Sequence, residues 1–183
     1  MSLLAQLAGF GGVAASCLWS FLPTRRLMIA GQMTGAVCFA AHWGLSGNMT
    51  AMVLTGLLLA VAGLSLFLDG PAGSLQVRLV RAGYVAALLP VVLATVLTWA
   101  GPESAFAAMG TAMGCYARWL TDAGRHRNVL LLSSVPWMAH NLIVLSVPGL
   151  LADVICLSRA AWLRWGGRLP RHAPALPRGA VGA

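Results

Sequence analysis

The chain has 183 residues, of which 59% are apolar and 9% charged, with a mean hydropathy of +0.82. A soluble domain carries about 45–50% apolar and about 25% charged residues, so an ordinary soluble enzyme is excluded, and disordered or collagen-like chains are excluded with it. Twelve basic residues against four acidic ones give +8, and every basic residue is an arginine, an excess that in a membrane protein speaks to sidedness.

A bilayer-crossing helix needs about 20 residues, so seven of them take about 140 and leave no room for a separate soluble domain. The apolar segments run Leu3 to Leu22, Leu27 to Leu45, Met49 to Leu68, Leu79 to Thr98, Ser104 to Leu120, Val129 to Val147 and Gly149 to Trp165. Turn chemistry separates them at Pro23-Thr24-Arg25-Arg26, Ser46-Gly47-Asn48, Asp69-Gly70-Pro71, Gly101-Pro102-Glu103, Asp122 to Arg127 and Pro148-Gly149. Spans two and three are nearly continuous, as are six and seven, so each pair is expected to form a tight antiparallel hairpin. The first segment has no positive residue ahead of its apolar stretch, and more apolar chain follows Ser16-Cys17. It therefore reads as a span and not as a cleaved signal.

With an outside amino terminus, the inner connections hold Arg25, Arg26, Arg78, Arg81, Arg118, Arg125 and Arg127, and the carboxyl end adds Arg159, Arg164, Arg168, Arg171 and Arg178. The outer turns then hold none, as expected when arginines stay on the cytoplasmic side.

A single gap-free offset of 98 residues relates two parts of the chain. Gly12 falls on Gly110, Cys17 on Cys115, Val37 on Val135, Phe39 on Trp137, Ala41 on Ala139, His42 on His140 and Thr55 on Asp153. The rarer residues, histidine and cysteine, carry the match. The fold expected is an all-α membrane protein of seven transmembrane helices in a three plus one plus three parallel repeat, amino terminus outside and carboxyl terminus inside. Its parts are residues 1–69, the first triplet; 70–100, a linker with the fourth helix; 101–166, the second triplet; and 167–183, a disordered cytoplasmic tail.

The Arg-rich first inner loop, Phe39-Ala40-Ala41-His42 with the turn and Thr50-Ala51 run after it, and the answering Trp137-Met138-Ala139-His140 resemble the YgjV-type bacterial inner-membrane proteins over nearly the whole chain to Trp165. That resemblance implies an architecture like the PQ-loop and SWEET transporters, hence a small-solute, transporter-like fold in the cell inner membrane. The chain departs from the PQ-loop pattern: it has no Pro-Gln dipeptide, and within spans it has only Pro90 in the fourth and Pro136 in the sixth, so paired proline hinges are missing.

Ionisable groups within spans are costly, which makes His42, His140, Asp153 and Arg159 the functional candidates. His140 and Asp153 fall at similar depth on adjacent helices. They are expected to meet, either as a solute-binding or proton-sensing pair or as a structural hydrogen bond, with Asn141 adding a donor and an acceptor. His42, followed by Trp43, reads as an interfacial aromatic-belt residue, or as the second histidine of the site; Thr55 stands where the other half has Asp153. Arg159 is expected to snorkel to the cytoplasmic headgroups. Gln6 and Gln32 are expected to pair across helices, and Arg25-Arg26 and Arg125-His126-Arg127 to anchor inner loops on anionic lipid.

Cys17, Cys38, Cys115 and Cys156 lie in apolar segments without metal-ligand spacing, and the methionines read as packing, so no metal and no cofactor is expected. There is no nucleophile with a base, no nucleotide loop after a strand and no carboxylate pair, so an enzyme is not expected. The partners expected are the lipid bilayer and a small polar solute, not nucleic acid. The solute site is expected between the triplets at Trp137, His140, Asn141, Asp153, His42 and Thr55. The alternative is a sensor or assembly partner that keeps the fold without transporting.

Overall fold

A computed structural model describes residues 2–68 and 74–165, all-α among the described residues. The helices are α1 (Leu3–Trp19), α2 (Arg25–Leu45), α3 (Met49–Ser65), α4 (Leu75–Leu97), α5 (Pro102–Trp119), α6 (Ala123–Leu132), α7 (Ser134–Ile143) and α8 (Val147–Trp165). The Asp69-Gly70-Pro71 turn and the tail 167–183 lie outside the described residues.

Most helix starts are set by a capping residue that answers an orphan amide. Ser2 accepts from Ala5 N, Thr24 from Leu27 N, Asn48 from Ala51 N, Ser74 from Val77 N and Asp122 from Arg125 N. Pro102 opens α5, at the position where a missing N–H costs nothing.

The expected sixth span, Val129 to Val147, is in fact two helices. Pro136 has no N–H for the carbonyl of Leu132, four residues back, and its ring crowds that carbonyl. Helix α6 ends there, Ser133 turns the chain, and α7 begins at Ser134. The corresponding α2 has Cys38 at this depth and runs unbroken for 21 residues.

Helices α1, α2, α3, α5, α7 and α8 form a closed ring, each packed on the next, with α8 returning to α1. Helix α4 lies outside the ring against α3 and α5. It buries one stripe, Val77, Val80, Tyr84, Val91 and Thr95, and leaves Leu79, Val85, Leu89, Val92 and Val96 exposed. Among the described residues α4 is the one helix both long and apolar enough to cross a bilayer, while the apolar α1 and α3 have 17 residues each.

Large apolar side chains cover the outside, and the inside mixes buried apolar residues such as Met28, Ile29, Leu54 and Leu131 with histidine, arginine, serine, threonine and asparagine. So apolar an exterior suits a hydrocarbon surround. Small residues allow the close approaches: a side chain at Gly9 would strike Pro148 and His42, and one at Gly110 would strike Trp137.

Candidate functional site: a cavity between two polar ends

His42 and His140 govern one end of the ring, and both are fully buried. His42 Nδ1 lies 2.8 Å from Ala5 O, and His140 Nδ1 lies 2.9 Å from Glu103 O. A carbonyl only accepts, so Nδ1 carries the proton in both rings and Nε2 is left as an acceptor. Ser146 Oγ donates to His42 Nε2 at 3.0 Å, and Asn48 Nδ2 donates to His140 Nε2 at 3.5 Å. The donors are themselves helix caps: Ser146 Oγ accepts from Gly149 N at 3.2 Å, and Asn48 Oδ1 accepts from Ala51 N at 3.0 Å. Each cap thus ties the start of a helix in one half to the histidine of the other.

Trp43 stands between the two imidazoles, its ring 4.6 Å from His42 and 5.4 Å from His140, and Trp137 lies 5.4 Å from His140. Below these rings is a cavity of about 160 Å³. Trp19, Phe39, Trp43 and Trp137 supply its aromatic wall, and Thr55, Ser133, Ser134, Asn141 and Asp153 its polar one. The break at Ser133 turns both serines toward the space. Asn141 Nδ2 donates to Asp153 Oδ2 at 2.6 Å, while Asn141 Oδ1 is buried with no donor. Gly149 makes this contact possible, because any side chain there would collide with the Asn141 amide.

The other end is closed by cations that bond to helix-terminal carbonyls, where the helix dipole favours positive charge. Arg25 donates to Leu120 O, Ser65 O and Arg118 O at 3.2, 3.0 and 3.0 Å, and Arg127 Nη2 to Leu22 O at 3.0 Å. His126 Nδ1 donates to Ala117 O at 2.8 Å, leaving Nε2 to accept from Gln32 Nε2 at 3.2 Å.

Four of the six expected site residues, Thr55, Trp137, Asn141 and Asp153, line the cavity. His140 and Asp153 do not pair: the histidine is spent on Glu103 O and Asn48, and the carboxylate is bound to Asn141. His42 is not a belt residue facing lipid but a buried lock. Arg159 is buried, and its guanidinium sits 4.2 Å from the ring centres of both Phe21 and Trp162. Arg25, His126 and Arg127 likewise turn inward, while Arg26 and Arg125 stay exposed. Gln32 does pair across helices, as expected. Sequence reasoning missed the lining residues Phe39, Trp43 and Ser134 and the caps Asn48 and Ser146. The 98-residue offset relates 48 to 146 and would have found the caps.

The sequence profile of the Imp-YgjV family, described as a bacterial inner membrane protein, matches residues 3–163. The chain belongs to the Imp-YgjV family. That places this family member in the bacterial inner membrane as a helical, multi-pass protein and accounts for the apolar exterior of its ring. No curated protein and no solved structure matches the chain.

Proposed function

We propose that this protein is a carrier-like binder or transporter of a small polar solute, not an enzyme, and that its site is the cavity between two related helix triplets. The observation that carries this reading is the cavity itself. An aromatic space walled by both halves of the ring holds a buried carboxylate and an unanswered amide oxygen, the few convergent polar groups a solute site needs.

The triplets are α1–α3 and α5–α8, with α4 between them in the chain, a three plus one plus three plan like that of SWEET transporters. Support comes from bonds that repeat at the 98-residue offset: His42 to Ala5 O answers His140 to Glu103 O, and Ser146 to His42 answers Asn48 to His140. The orientation proposed puts the histidine end outside and the arginine end in the cytoplasm, in keeping with Arg25, Arg78, Arg81, Arg118, Arg125 and Arg127 all lying at the helix ends opposite the histidines.

A non-transporting sensor is the second reading. It is favoured by the helix break between α6 and α7, which has no counterpart in α2 and leaves the two triplets without matching hinges.

The test is a thermal-shift screen of purified protein against small polar solutes. A ligand should raise Tm in the wild type and fail to do so in Asp153→Asn; a rise untouched by that substitution removes the site. Counterflow of the same solute in proteoliposomes then separates the readings, since a sensor binds without exchanging it.

A further inference from the structure

We infer that the solute is a small organic cation bearing N–H donors, an alkylammonium or a guanidinium. This rests on the reading of the cavity as a solute site and narrows it to one charge and one hydrogen-bonding sense. Among the residues lining the cavity Asp153 is the one acid, and no arginine stands among them. Asp153 is 7% exposed, and its carboxylate accepts from Asn141 Nδ2. No cation among the described residues forms an ion pair with it. Asn141 uses its amide N–H on that carboxylate and keeps its oxygen buried and unanswered. Asp153 and Asn141 both line the cavity, so a ligand N–H group would meet the carboxylate in a wall that also holds the amide. An anion would face the carboxylate, and a hydroxyl would answer one acceptor without balancing the charge.

The rest of the wall favours the same ligand. Trp19, Phe39, Trp43 and Trp137 border the space, and the faces of such rings attract cations, most strongly when water is excluded. The nearby arginines do not line the cavity: Arg127 Nη2 holds Leu22 O and Arg159 lies against Phe21 and Trp162, each with a buried Nε that has no hydrogen-bond partner. A buried carboxylate without a cation is strongly disfavoured, and a ligand that brings the charge removes that penalty. The volume of about 160 Å³ is close to that of an engineered cavity of about 150 Å³ that holds benzene, which sets a limit of about six heavy atoms.

The experiment is calorimetric titration of the purified full chain in detergent with three ligands of one size: n-butylammonium, 1-butanol and butyrate. Butylammonium should bind about ten-fold or more tighter than 1-butanol, and butyrate weakest. In Asp153→Asn the preference for butylammonium over 1-butanol should fall below about two-fold, with circular dichroism reporting the fold. Should that variant not fold, the wild-type ranking decides alone. If 1-butanol or butyrate binds as tightly as butylammonium, the cation is wrong and the solute site stands. If none of the three binds, both the cation and the solute site fall.

Discussion

After His42, Ser46 N and Asn48 N bond to the carbonyls of His42 and Trp43, each at 3.0 Å, with Gly47 at φ +76°. After His140, Val144 N and Ser146 N bond to the carbonyls of His140 and Asn141 at 3.1 and 3.0 Å, with Leu145 at φ +53°. The two turns are thus built alike, down to the left-handed residue. The cavity walls they lead into are not: at the 98-residue offset Trp43 corresponds to Asn141, Thr55 to Asp153, and a continuous helix to a broken one. Frame and chemistry have separated. The frame is held by backbone and caps in both halves, and the charged group of the cavity is confined to one of them.

The largest expected effect tests the wall. Gly149→Ala forces a methyl group into the Asn141 amide and should cost toward the upper end of about 1–3 kcal/mol. The related position in the other turn, 51, already holds a buried alanine, and Ala51→Gly should cost only about 1 kcal/mol. Reversible unfolding in denaturing detergent measures both, and equal losses would mean that the Asn141 contact does not distinguish the halves.

Next come the locks. His42→Ala strands Ala5 O and Ser146 Oγ and should cost about 2 kcal/mol by the same assay. His140→Ala should cost nearer 1 kcal/mol, because its bond to Asn48 is the longer at 3.5 Å. The reverse order would break the assignment of the stronger lock to His42.

The smallest effect concerns the turns. Leu145 is a non-glycine residue in the left-handed region, so Leu145→Gly should raise the unfolding free energy by up to about 1 kcal/mol, whereas Gly47→Ala should lower it by about as much. If Leu145→Gly destabilises, the leucine side chain is needed there more than the glycine backbone.

Apolar runs and turn residues made the helical segments legible, because helix starts need caps and Thr24, Asn48 and Asp122 stood at the breaks. The split of the sixth span was within reach, since Pro136 marks it, but the run Val129 to Val147 is apolar on both sides of the break and hydropathy does not register a lost hydrogen bond. At the site, depth along a helix predicted which residues share a layer and not which atoms bond. His140 and Asp153 were expected to pair on that ground. The angle around each helix sends His140 toward Glu103 O and Asn141 toward Asp153. The arginines misled for the same reason: Arg25 and Arg26 are neighbours in sequence, yet a helix turns them about 100° apart, one into the carbonyls and one outward.

The return of α8 onto α1 has a consequence for how the molecule is made. Helix α1 has a ring partner in α8, the last of the described helices, and until α8 docks the cavity has no wall at Gly149, Ala152 and Asp153. A nascent chain inserted only as far as α7 holds His42 without its Ser146 partner, an open rim that waits on completion. Closure of the ring is therefore a late event in synthesis, and the cavity comes into being only with it.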